Sequence, residues 1–168
     1  MNRISATTGW GLLTAACVLT VGASFGLTVW LNLHPCHLCI FQRLLFMVMA
    51  LFALVATLSS AWPRCAAGMG FVAAALGGMA TAASQSWLQW QPAGSVTCAG
   101  NQPSMLERFV EWLGQLQPEL FLATGFCENK ELTILGLSLA NLAFISYAAL
   151  GAFALWLLMR YSIRSKST

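Results

Sequence analysis

The sequence predicts an all-α integral membrane protein: a four-helix bundle with a long loop on one side that carries a short membrane-surface helix. Composition, charge spacing and apolar run length predict it. Of the 168 residues, 58% are hydrophobic and only 8% are charged, against about 25% charged in an ordinary soluble domain. The charges leave long gaps: 39 residues between Arg3 and Arg43, 20 between Arg43 and Arg64, 42 between Arg64 and Glu107, and 28 between Glu131 and Arg160. Each gap accommodates the roughly 20 apolar residues a helix needs to cross a bilayer. The runs are too evenly apolar for barrel strands, which alternate. The same composition argues against a water-soluble globule, a disordered tail or a nucleic-acid binder.

The spans fall at about 10–31, 39–59, 66–87 and 141–159, in one four-span domain covering 1–168. Asn32, His34 and Pro35 break the first run, Trp62 and Pro63 end the second, and Gln89, Gln91 and Pro92 end the third. Trp10, Trp30, Trp62, Trp87 and Trp90 are expected at interface depth. Gly68, Gly70, Gly77, Gly78 and the many alanines of the third span suit close backbone approach, because lipid offers no hydrophobic drive for helix association. The first run continues apolar past Gly22, Ala23 and Ser24 to Leu31, so it reads as a retained span rather than a cleaved leader.

Charge sets the orientation. Arg3, Arg64, Arg160, Arg164 and Lys166 flank the spans on one side without an acid among them. By the positive-inside rule those segments, and both termini, are cytoplasmic. The loops at about 32–38 and 88–140 then face the opposite compartment, and the longer holds all five acids: Glu107, Glu111, Glu119, Glu128 and Glu131. Within it, Met105, Leu106, Phe109, Val110, Trp112, Leu113 and Leu116 fall largely on one side of a short helix and Glu107, Glu111 and Gln115 on the other, a pattern that suits the membrane surface.

The same topology sorts the six cysteines. Cys17 lies within a span and Cys65 at a cytoplasmic end, where thiols stay reduced and act as small apolar residues. Cys36, Cys39, Cys98 and Cys127 lie on the far side, where disulfides persist. Cys36 and Cys39 form a Cys-X-X-Cys at the start of the second span, where unpaired amides and the helix dipole favour a thiolate. Arg43 follows Cys39 by one helical turn and can share its face. A cation in an apolar span costs about 2.5–3.5 kcal/mol at mid-membrane, and stabilising a thiolate or a reducible anion gives it a reason to be there. Cys98 and Cys127 are separated by 28 residues and admit two readings: a staple for the loop, or a second sulfur couple carried to the first by mobile Gly-, Ala- and Ser-containing flanks.

These residues resemble the DsbB family of bacterial inner-membrane thiol oxidases. The likeness rests on Pro35-Cys36-His37-Leu38-Cys39-Ile40-Phe41-Gln42-Arg43, on Trp87-Leu88-Gln89 and on the Cys98 and Cys127 pair, and it extends over nearly the whole chain. The resemblance implies four catalytic cysteines. A periplasmic DsbA-like thioredoxin-fold protein attacks the Cys98–Cys127 disulfide at Cys98, Cys127 attacks Cys36, and Cys39 is left as a thiolate that passes electrons to a membrane quinone, ubiquinone or menaquinone, beside Arg43. A DsbA-type disulfide near about −120 mV needs a strong terminal oxidant, since 30 mV is worth about 1.4 kcal/mol for two electrons. Where many members carry Arg-His or a similar polar pair before Trp-Leu-Gln, this chain has Ser84 and Gln85. Gln85 can hydrogen-bond a quinone carbonyl but supplies no charge. His37 could tune the couple or be an ordinary loop histidine.

Other readings make the four far-side cysteines, with His34 and His37, a zinc or copper site, or make the chain a scaffold braced by disulfides. Spacing disfavours the metal, so no metal ligands are assigned, and the scaffold leaves Arg43 unexplained. A vitamin K epoxide reductase-like enzyme shares the two-pair logic but fits the motif neighbourhood less well.

Overall fold

The computed structural model describes residues 6–91, 105–121, 123, 125, 133–134 and 137–165. Four helices are long and apolar enough to cross a membrane: α1 (Ala6–Trp30), α2 (His37–Leu58), α3 (Ala61–Leu88) and α6 (Leu139–Ser165). Between α3 and α6 lie two short helices, α4 (Met105–Leu116) and α5 (Pro118–Phe121), and a two-residue antiparallel pair, β1 (Thr133–Ile134) and β2 (Leu137–Ser138), which the sequence pattern does not signal.

Local chemistry explains where the helices end. In α1 the hydroxyls of Thr14, Thr20 and Thr28 donate to the carbonyls of Trp10, Ala16 and Ser24, so these three polar groups are paired within their own helix. Asn32 takes the left-handed conformation (φ 49°) and the Leu33 amide returns to the Thr28 carbonyl at 3.1 Å, a Schellman stop that turns the chain toward Cys36.

The third span begins earlier than its apolar run suggests. Trp62 and Pro63 lie inside α3, not in a break after α2. Ser60 caps α3, so Pro63 occupies the first turn, where a backbone donor has no intrahelical partner to lose. Only Ser59 and Ser60 separate the two helices. Arg64 reaches back from that turn to the Ala56 carbonyl (2.9 Å) and to the Ser59 carbonyl, closing the end of α2.

Packing runs α1 on α2, α2 on α3 and α3 on α6, with a lighter contact of α1 on α6. Trp30, Trp62, Trp87 and Trp90 are exposed, but Trp10 is 1% exposed rather than interfacial. It meets Phe71 edge-on, and its ring lies where a side chain at position 68 would point. Phe46 stacks on Tyr147 with ring centroids 4.1 Å apart. One edge of that tyrosine ring fills the space beside Gly78, which a Cβ would occupy. Small residues on α3 thus bring α6 close enough to carry an aromatic ring into the centre of the bundle.

α4 has three faces rather than the expected two. Val110 and Gly114 are buried, and so is Glu107, which the amphipathic pattern had placed outward. Met105, Phe109, Trp112 and Leu116 form an exposed apolar stripe, while Glu111 and Gln115 are exposed beside it.

Candidate functional site

The first loop and the start of α2 build the site. Cys36, after Pro35, is extended and serves as the N-cap (φ −84°, ψ 170°), the position where Ser, Thr, Asp or Asn ordinarily places an oxygen. Its sulfur accepts from the Cys39 amide at 3.4 Å. The two sulfurs lie 3.0 Å apart, within reach of each other across one helical turn. Cys36 is 2% exposed and Cys39 half-buried, both at the positive end of the α2 dipole.

Gln85, one turn before the end of α3, meets them. Its Nε2 donates to Cys39 Sγ at 3.0 Å and lies 3.6 Å from Cys36 Sγ, while its Oε1 accepts from Gln42 Nε2 at 2.8 Å. The Tyr147 hydroxyl donates to the Gln42 main-chain carbonyl at 2.6 Å. Three helices therefore converge on one line of polar groups, Tyr147 to Gln42 to Gln85 to the Cys39 sulfur. Gln85 is 3% exposed, and its placement depends on Gln42, which the motif contains but sequence reasoning did not single out.

Arg43 is 5% exposed and does not snorkel. Its Nη2 donates to Thr28 Oγ1 (2.8 Å) and to Ser24 Oγ (3.2 Å), its Nε approaches Ser24 Oγ at 3.4 Å, and its carbon lies 5.7 Å from the Phe25 ring centre. Nη1 makes a 3.5 Å contact with the Leu120 carbonyl, which leaves donor capacity on that side of the guanidinium. The charge is near enough to Cys39 to act on it electrostatically. Ser24 and Thr28 are the partners that let α1 accept a buried cation. Their signal in the sequence was two hydroxyls one turn apart within an apolar run.

The long loop touches this end of the bundle at a second place. The Gly125 amide donates to the Pro35 carbonyl at 3.1 Å, and a Cβ at Gly125 would overlap the His34 carbonyl oxygen. Cys98 and Cys127 lie outside the described residues. Cys17 is fully buried in the bundle core and Cys65 half-buried in α3. Among the described residues, no group of three or more His, Cys, Asp or Glu side chains is placed to hold a metal ion.

Comparison with known proteins gives this arrangement a context. A family profile described as disulfide bond formation protein DsbB matches residues 6–157. Relatives named disulfide bond formation protein B include that of Dechloromonas aromatica (strain RCB), 35% identical over 163 residues, with 95% of this chain and 96% of the relative covered. Those of Verminephrobacter eiseniae (strain EF01-2) and Azoarcus sp. (strain BH72) are each 34% identical over 89% of this chain, covering 84% and 90% of the relative.

Proposed function

From the premise that this chain belongs to the DsbB family of disulfide bond formation proteins, a membership that implies an oxidoreductase role, we propose that it reoxidises a periplasmic DsbA-like thioredoxin-fold protein and passes the electrons to a membrane quinone. The observation that carries this reading is the contact of Cys36, Cys39 and Gln85 at the start of α2, with the buried cation Arg43 one turn further along that helix.

The sulfur steps balance as exchanges. A thiolate of the reduced partner attacks Cys98, the Cys98–Cys127 bond breaks, and Cys127 leaves as a thiolate. Cys127 then attacks Cys36, the Cys36–Cys39 bond breaks, and the electron pair leaves on Cys39. There it meets the Gln85 N–H, already aimed at it before the reaction, and the field of the nearby Arg43 charge. The partner's second thiol releases Cys98, which takes Cys127 back from Cys36 and leaves Cys36 and Cys39 as a dithiol. A bound quinone supplies a two-electron, two-proton acceptor for that dithiol. Arg43, through its spare donors, is the residue that would hold a quinone oxygen, while the Gln85 amide, expected from the resemblance to do so, is already engaged by the two sulfurs and Gln42.

The orientation follows from charge: both termini and the Arg64 turn in the cytoplasm, the cysteine end facing the periplasm of a bacterial inner membrane. The exposed stripe of α4 then lies against lipid. No specific observation favours the alternative of a thiolate metal site. The test is reconstitution: purified chain, a reduced DsbA-like protein and ubiquinone or menaquinone. Quinone reduction stoichiometric with disulfide formed supports the reading, and thiols left reduced under those conditions refute it.

A further inference from the structure

A carboxamide has a donor end and an acceptor end of nearly the same shape, and only the donor end helps a sulfur anion. A thiolate at Cys39 only accepts, so it takes the N–H end of Gln85, and the Gln85 oxygen then needs a donor on its other side. Gln42 supplies that donor: its Nε2 donates to Gln85 Oε1 at 2.8 Å, while Gln85 Nε2 is aimed at Cys39 Sγ at 3.0 Å. Turned over, Gln85 would set donor against donor at Gln42 and oxygen against sulfur at Cys39. Both amides are buried, Gln42 at 6% and Gln85 at 3% exposure, so water cannot substitute for a lost partner. Gln42 is in turn fixed at its backbone, where Tyr147 of α6 donates to its carbonyl.

We infer that Gln42 is a positioning residue of the Cys36–Cys39 couple: it sets the polarity of the Gln85 carboxamide, and through it stabilises the charged form of Cys39. Gln42 touches neither sulfur and acts only through Gln85. The inference rests on the functional reading above, in which Cys39 is the thiolate released.

The experiment uses the full chain carrying Cys98→Ser and Cys127→Ser, which isolates the first couple. The equilibrium constant of Cys36–Cys39 with glutathione is read by alkylation and mass shift in three further variants, Gln42→Met, Gln85→Ala and both together. Methionine keeps the length and packing of glutamine but donates nothing. Loss of a hydrogen bond to a charged sulfur predicts that Gln42→Met shifts the equilibrium about tenfold toward the disulfide, which is about 30 mV in potential. Gln85→Ala moves it in the same direction by at least as much. Adding Gln42→Met to Gln85→Ala then changes it less than about twofold, because the two residues act as one unit. A merely structural role would shift the equilibrium equally with and without Gln85. That result overturns the inference, as does a Gln42→Met value within twofold of the parent. If the parent couple is reoxidised by neither ubiquinone nor menaquinone, the functional reading itself falls and the inference with it.

Discussion

The amide of Gly125 donates to the carbonyl of Pro35 across 3.1 Å, joining the long loop to the residue that precedes Cys36. The contact is backbone on backbone, and no side-chain rotation can relieve it: a Cβ on Gly125 would overlap the His34 carbonyl oxygen. Gly125 stands two residues before Cys127 in the sequence.

Gly125→Ala is therefore expected to slow transfer from the second couple to the first by about tenfold or more, as the loop is pushed away and the effective concentration of Cys127 falls. Turnover with reduced DsbA-like protein reads this step. Oxidation of dithiothreitol in a chain lacking both loop cysteines bypasses it and is expected to be unchanged by the substitution. Equal turnover of the protein substrate by wild type and Gly125→Ala would remove the contact from the account.

Arg43 is expected to tolerate neither loss of charge nor loss of its fork. Lysine cannot reproduce the bonds to both Ser24 and Thr28 on α1. Arg43→Lys should raise the KM for quinone by about tenfold, the equivalent of roughly 1.4 kcal/mol, and Arg43→Met by more. Initial rates at varied quinone concentration measure it. Thr28→Val, which leaves the charge in place but removes one acceptor, should lower stability by about 1 kcal/mol.

Adjacent glycines on α3 offer an internal control for packing. A Cβ at Gly78 would enter the Tyr147 ring, whereas at Gly77 nothing lies within 4 Å. Gly78→Ala is expected to destabilise the bundle by about 1–3 kcal/mol, and Gly77→Ala to be neutral or stabilising by about 0.4–1 kcal/mol. Thermal denaturation in detergent compares them. Equal shifts for the pair would contradict the placement of Tyr147.

The sequence made the four long helices and α4 legible for different reasons. Charge gaps reveal spans because a buried charge is costly, yet they say nothing about where a helix starts. Pro63 reads as a breaker until the cap at Ser60 shows it in a first turn, where proline is harmless. Glu107 reads as solvent-facing because periodicity assigns only one buried face to a helix, and α4 has one face on protein and another apolar face left exposed. Near the cysteines, motif spacing identified Cys36, Cys39 and Arg43, and resemblance pointed to Gln85. Gln42 was hidden inside the same motif. Its importance depends on which way a neighbouring helix turns a carboxamide, and that is a property of packing between α2 and α3.

Orientation can be checked by labelling. Ser60→Cys, at the Arg64 turn, and Gln115→Cys, on the exposed polar side of α4, each in a chain otherwise without cysteine, are to be treated with a membrane-impermeant maleimide in spheroplasts. Position 115 should react and position 60 should react only after the membrane is opened. The reverse pattern would invert the topology derived from the charges.

The most direct test concerns Cys39, the thiol held by Gln85 and closest in sequence to Arg43. Cys39→Ser in the otherwise complete chain is to be assayed for quinone reduction by a reduced DsbA-like protein. The account predicts no turnover, with electrons stopping at a reduced Cys98 and Cys127 dithiol, because Cys36 without Cys39 offers no disulfide for Cys127 to attack. Quinone reduction at the wild-type rate would contradict it.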